Sequence, residues 1–293
     1  MVKIEKLTPY HISHVWAQPY RQQRILEILN SKDTFTVEDM KELQMDIKNL
    51  QAEEFVPIFL EQLSKQTLNE QEQEAVALLK EWDFEDDQAE TAPLLFQTIL
   101  LEISNVLFGE KISDEMMELF EGKAQVIDEL IRRANKGNEG PWIKNNGGLS
   151  EVIYDALKQT IETLSERYGN KMSEWKWGDE HQLQFSHPLS SVSPLQYIFN
   201  SKQAIPVSGS AVTVQAARRN DETGLVNHGA SWRYVIDTSD FTKAHHIVAP
   251  GQSGHFKSEW YNNQFEDWVK GVYHITSLNE PVKEDQTLIL RPK

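Results

Sequence analysis

Over about the first 170 residues, apolar positions return every three or four residues, the spacing of helices that bury one face. Pro19 stands where a first helical turn tolerates it, and Ile25, Ile28 and Leu29 follow at helical spacing, which places Arg21 in an opening turn. Thr36 with Asp39 three residues on predicts an N-cap, with Phe35 set to staple against Met40 and a stripe of Met40, Leu43, Ile47 and Leu50 behind it. Pro57 is expected to break or kink the next helix. Asn69 starts another, whose buried side includes Ala75, Leu78, Leu79 and Trp82, while Gly109 and Gly169 read as helix stops. After about Trp175 the pattern changes to short β-rich runs separated by Gly, Pro, Ser and Asn. Ala211–Ala217, Ser231–Asp237, His246–Ala249 and Thr287–Leu290 are the predicted strands. Helices first and strands last reads as α+β, a mainly helical portion over 1–174 and a β-rich portion over 175–293. Lys136–Gly148, rich in glycine and asparagine, is predicted to be a loop and the one candidate linker.

Composition narrows the function. The 293 residues carry 29 basic and 45 acidic side chains, a net charge of −16, which argues against nucleic acid or an anionic membrane as partner because both need clustered cations. No cysteine is present, so disulfides, cysteine-ligated zinc and thiol nucleophiles are excluded. The most apolar run, Pro93–Phe108, is interrupted by Gln97, Glu102 and Asn105 and is shorter than the ~20 residues of a membrane span, so it is expected to be a buried helix. The opening MVKIEKLTPYHISHVW has neither the apolar core nor the cleavage site of a signal peptide.

Isolated motifs supply little chemistry. Gly251-Gln252-Ser253-Gly254 is close to a serine-hydrolase elbow, but His255 stands where that elbow needs glycine, and a tight turn after a strand is the better reading. Of the nine histidines, His11 and His14 precede the first helix and His245 and His246 are strand neighbours on opposite faces, so no metal is predicted. The acidic run Glu81, Asp83, Glu85, Asp86 and Asp87 lacks the glycine and closing glutamate of a calcium loop and reads as a solvated helix end. Arg21, set between Trp16 and Tyr20 on one side and Ile25 on the other, reads on composition as a surface ion-pair partner.

Taken together, longer strings resemble the penicillin acylase family of N-terminal nucleophile hydrolases. They run from Trp16-Ala17-Gln18-Pro19-Tyr20-Arg21 with Arg24-Ile25, through Phe35–Met40, Gln44, Asp46 and Leu79–Asp83, to Leu164–Asn170, Trp175–Gly178, His181 and His187–Leu189. Ser231, Arg233, Asp237, Ala249–Gly254, Tyr261, Gln264 and Trp268 complete them. The resemblance covers the carboxy-terminal half of the family's β chain. It implies part of a four-layer αββα fold and an amidase that hydrolyses N-acyl bonds of penicillins or related compounds.

In that family a serine freed at a chain start is the nucleophile and its own α-amino group the base. Here the chain begins Met1-Val2, the nearest hydroxyl is Thr8, and the oxyanion asparagine falls ahead of Met1, so the chain alone is expected to be inactive. Arg21 is the one active-site position the resemblance carries over, in a supporting electrostatic role. Tyr10 occupies the place of a calcium-binding carboxylate, so neither metal nor cofactor is expected. The implied partners are the missing amino-terminal half, comprising the α chain and the front of the β chain, and a small N-acyl substrate once the enzyme is complete. Family precursors are usually exported. Isolated, the chain is expected to expose strand edges and apolar faces and to associate. A non-catalytic interaction protein derived from the same scaffold is the alternative.

Overall fold

Capping side chains start several of the helices, in a computed structural model that describes residues 11, 13, 15–109, 111–200, 204–220, 223–277, 289, 291 and 292. The longer helices are α1 (Tyr20–Leu29), α2 (Val37–Gln44), α3 (Leu50–Leu63), α4 (Glu70–Glu81) and α5 (Ala92–Phe108). Short α6 (Asp114–Glu118), α7 (Lys123–Asn135), short α8 (Pro141–Lys144) and α9 (Leu149–Tyr168) follow. Thr36 Oγ1 accepts from Asp39 N at 3.2 Å while Asp39 Oδ2 accepts from Thr36 N at 2.7 Å, the reciprocal box that starts α2. Asn69 and Glu72 make the same exchange at the head of α4. Gly169 closes α9 at φ 83°.

Three local expectations are revised by the fold. Pro57 does not end α3: it lies on an exposed face, and the helix runs on through the buried Phe55, Val56 and Phe59 around it. The stripe Met40, Leu43, Ile47, Leu50 is not one helix: α2 stops at Gln44, Asp46 Oδ1 accepts from Lys48 N in a turn, and Asn49 caps α3 by accepting from Ala52 N. Lys136–Gly148 is no linker, since it contains α8 and the fully buried Ile143, and Glu139 Oε1 accepts from Leu149 N to start α9.

The chain forms two compact units. The first joins the chain up to Asp33 to Met45–Ala230, the second joins Thr34–Gln44 to the chain from Ser231. In the first, α5 packs on α9 and both contribute to a core that includes Phe59, Phe96, Ile99, Ile103, Val152, Leu157 and Trp175. Burying each such side chain contributes about 1.5–3 kcal/mol. α5 is thus the buried helix expected, and no helix among the described residues is long and apolar enough to cross a membrane. Beyond α9 lie α10 (Trp177–Glu180), α11 (Gln196–Phe199) and a sheet ordered β2-β1-β4-β3. Its strands are β1 (Gln182–Leu183), β2 (Ile205–Pro206), β3 (Ala217–Arg219) and β4 (Leu225–Gly229). The strand expected over Ala211–Ala217 is mostly a bent segment, because Thr213 Oγ1 donates to Gln215 O at 2.8 Å and curls the backbone on itself; only Ala217 enters β3.

In the second unit β5 (Trp232–Ile236), β6 (Lys243–Val248) and β7 (His274–Ser277) pair antiparallel, with α12 (Phe265–Lys270) between the last two. Period-2 alternation sorts β5: Arg233 and Val235 are buried while Trp232 and Tyr234 are exposed. Arg233 Nη1 donates to Trp268 O at 2.6 Å and its guanidinium lies 4.1 Å from the Trp268 ring centre, so α12 is clamped to the buried face. Gln44 Nε2 donates to Tyr234 O and Tyr273 Oη donates to Gln44 Oε1, which binds α2 to this sheet. The strands predicted around Ser231–Asp237 and His246–Ala249 are present as β5 and β6; Thr287–Leu290 lies, except for Ile289, outside the described residues.

Gly251 explains the turn after β6. A Cβ there would sit 2.4 Å from Trp260 O and 2.8 Å from Tyr261 O, while the N–H groups of Gln252 and Ser253 both donate to Trp260 O. Gly254 has open space around it. Gly251→Ala is therefore expected to destabilise the protein by about 2 kcal/mol or more, through backbone that must move, and Gly254→Ala to stay within about 0.5 kcal/mol. Urea denaturation of the two variants, compared by midpoint, checks the contrast.

Candidate functional site

Arg21 sits in the first turn of α1 and is exposed. What surrounds it is an anchorage for that helix. On one flank the buried Tyr20 hydroxyl donates to Glu54 Oε2 at 2.8 Å and accepts from Arg132 Nη2 at 2.6 Å, and it lies 3.3 Å from Asp128 Oδ2. Arg132 on α7 also grips Glu54 on α3 through two nitrogens, at 2.6 and 2.8 Å. Asp128 is closed in by the amides of Gln18 and Gln51 at 2.7 and 2.8 Å. Burial pushes the Asp128 carboxyl and the Tyr20 phenol up from their usual ranges. Burial also raises Glu54, but the Arg132 fork and the Tyr20 hydroxyl outweigh it and hold that carboxyl below its usual value.

On the other flank Arg24 donates from Nε and Nη2 to Asp46 at 2.8 to 3.1 Å. Asp46 leads into a polar knot. Gln215 N donates to Asp46 O, Asp86 N donates to Ile47 O, and Asn49 N donates to Phe84 O at 2.8 Å. Phe84 takes φ 66°, a strained conformation for an aromatic residue, and its ring is held edge-on to Trp82 at 5.5 Å. At the centre the fully buried Asp86 carboxylate accepts from Asn49 Nδ2 at 3.0 and 3.1 Å and from the Ser210 side chain. Burial pushes its pKa up to about 7, against the lowering effect of those hydrogen bonds. The solvated acidic helix end is therefore corrected at this position: Glu81, Asp83 and Glu85 are exposed, whereas Asp86 is core.

The remaining sequence candidates do not join this region into one reacting centre. Ser253 Oγ accepts from His255 N and His255 Nδ1 accepts from Lys257 N, the bonding of a turn, not of a nucleophile and its base. His246 Nε2 is 2.6 Å from Thr276 Oγ1. Asp237 takes Ser239 N and Oγ in a turn. No group of three or more His, Asp or Glu side chains suited to a metal occurs among the described residues. Met1, Val2, Thr8, Tyr10 and His14 lie outside them.

Comparison with known proteins places the fold. The profile of the penicillin amidase family matches residues 3–283, nearly the whole chain. The chain belongs to the penicillin amidase family. Its sequence is 27% identical over 262 residues to the penicillin acylase 2 proenzyme of Pseudomonas sp. (strain SE83), covering 85% of this chain and 32% of that protein. Its fold is similar to that of a thermostable penicillin G acylase from Alcaligenes faecalis, with a TM-score of 0.59 and 14% identity over 98% of this chain and 56% of that one. This penicillin amidase family member is therefore α+β, and it spans about a third of the length of the curated relative it matches.

The Asp86 geometry sets a pH dependence. Its folded pKa, about 7, lies above its ordinary 3.8, so between those values the folded state holds a proton that the unfolded chain has released. The stability this group confers is complete below the unfolded value and declines as pH rises through the window, by about 1.4 kcal/mol per pH unit at its steepest. Asp86→Asn, neutral at every pH, is expected to remove this decline; urea denaturation of both proteins from pH 5 to 8 checks it, and parallel curves would refute it.

Proposed function

We propose that the chain is the carboxy-terminal part of the β chain of a penicillin-acylase-like amidase, acting on the N-acyl bond of penicillins or related acylated compounds when assembled with the rest of the enzyme. One observation carries the reading: the family match runs along almost the whole chain yet accounts for only 32% of the curated proenzyme. The chain then supplies scaffold, and the nucleophilic serine and oxyanion donor belong to family segments outside the matched third. The residues in hand support that division. No cysteine is present and Ser253 is committed to a turn. The exposed face of β5, where Trp232 and Tyr234 pack ring to ring at 5.2 Å with 59% and 40% exposure, supports a covering partner.

In this reading Arg21 acts electrostatically. Its neighbours Tyr20 and Arg24 fix α1 from both flanks, leaving the Arg21 guanidinium exposed toward the surroundings. Its fixed positive charge would favour the oxyanion that develops when an amide carbonyl is attacked.

The test is co-expression with the upstream half of a related acylase, followed by hydrolysis of a phenylacetylated chromogen. The chain alone is expected to give no saturable turnover, the pair to restore it, and Arg21→Ala in the pair to lower kcat by about 10- to 100-fold. Saturable turnover by the purified chain alone would overturn the division of labour.

A further inference from the structure

A cavity of about 170 Å³ in the first unit lies between α5, α10 and the end of β3, lined in part by Gln97, Trp177, His181, Ser210, Arg218 and Arg219. The protein is strongly acidic overall, yet no aspartate or glutamate lines this space, and two consecutive arginines do. In a regular strand such neighbours face opposite ways. Here the pairing of β3 with β4 slips: Arg218 stands opposite His228 and Arg219 opposite Val226, so Asn227 is the extra residue of a bulge. The bulge, on β4, increases the local twist of the pair, and both arginines of β3 meet the same cavity.

The polar groups left over on the wall are donors. His181 is spent, its two ring nitrogens lying 2.7 Å from Val207 O and 2.8 Å from Ala217 O, and its ring is stacked on Trp177. Thr98 Oγ1 donates to Leu94 O and Ser210 is committed to Asp86. Arg219 gives one N–H to Glu180 Oε2 at 2.6 Å, which orients its guanidinium and leaves further N–H groups. Gln97 Nε2 is buried with no hydrogen-bond partner. A buried amide donor without an acceptor is a cost that a bound acceptor removes.

We propose that this cavity binds a small oxyanion, of the size of inorganic phosphate or a short-chain carboxylate, held by the Arg218 and Arg219 guanidiniums and the Gln97 amide. At roughly 30 Å³ per water the space suits an ion of a few heavy atoms in place of several waters. Bidentate recognition by planar guanidinium groups suits both ion types. The site is independent of acylase chemistry and involves no residue assigned to it.

Isothermal titration at low ionic strength with sodium phosphate and, separately, sodium acetate tests it, with glycerol as the neutral control. Saturable one-site binding of at least one anion and none of glycerol is expected, and whichever binds more tightly identifies the ion class. Gln97→Leu and Arg218→Gln, each confirmed as folded by circular dichroism, are expected to weaken binding about tenfold, while Arg133→Gln on α7 leaves it unchanged. Two variants are used so that loss of folding in one does not remove the comparison. Absence of saturable binding of either ion at millimolar concentration, or binding that both cavity variants retain in full, would overturn the proposal.

Discussion

The contact on which the first unit depends is the buried pair of Asn49 and Asp86. One residue does three tasks: the Asn49 Nδ2 donates to both Asp86 oxygens, its Oδ1 caps α3 at Ala52, and its backbone N–H donates to Phe84 O. Asp86 in turn offers its own carbonyl to Gly209 N at 2.7 Å. Gly209 must be glycine there, at φ 89° and with Gln215 O only 2.5 Å from where a Cβ would stand. Three segments far apart in sequence are thereby tied at one point. A charge buried without a cation is normally too costly, and burial accordingly raises the pKa of this carboxyl, which shifts it toward its neutral form.

Structure spreads outward from that point in both directions. Toward the amino end, Asp46 connects the knot to Arg24 and so to α1; toward the carboxy end, the curled segment from Ser210 to Gln215 delivers the chain into β3. The apolar contact of α5 with α9 is central to the core, but it is non-directional and does not select a register. Directional polar contacts do that here, and they lie at the ends of helices and in loops, where backbone groups need partners.

What was legible in the sequence follows from this division. The caps at Thr36 and Asn69 and the stop at Gly169 need partners only a few residues away, and each is visible in the local string. Asp86 was misread because nothing next to it marks it: its partners Asn49 and Ser210 lie 37 and 124 positions away, and four acidic neighbours present it as surface. That Pro57 does not break its helix has a related reason, since the core that holds α3 outweighs the local cost of a missing N–H. The α+β class and the family were legible because they rest on many positions at once. The anchorage of α1 was half legible: Arg24 and Asp46 both belong to the strings that carry the resemblance, but only the fold shows that they meet.

The use of arginine clarifies how α1 is fixed in an acidic protein. Arg132 and Arg24 each grip a carboxylate with two nitrogens, and Arg233 lies buried on an indole face with its pKa lowered by burial to about 10. A planar fork orients its partner as well as attracting it, which a lysine ammonium does not do. On α1 the orienting work falls to the residues immediately before and one turn after Arg21. A helix fixed through Tyr20 and Arg24 does not need Arg21 for its own stability. The anchorage does not neutralise its charge, a condition an electrostatic group must meet if it is to act on something outside the chain.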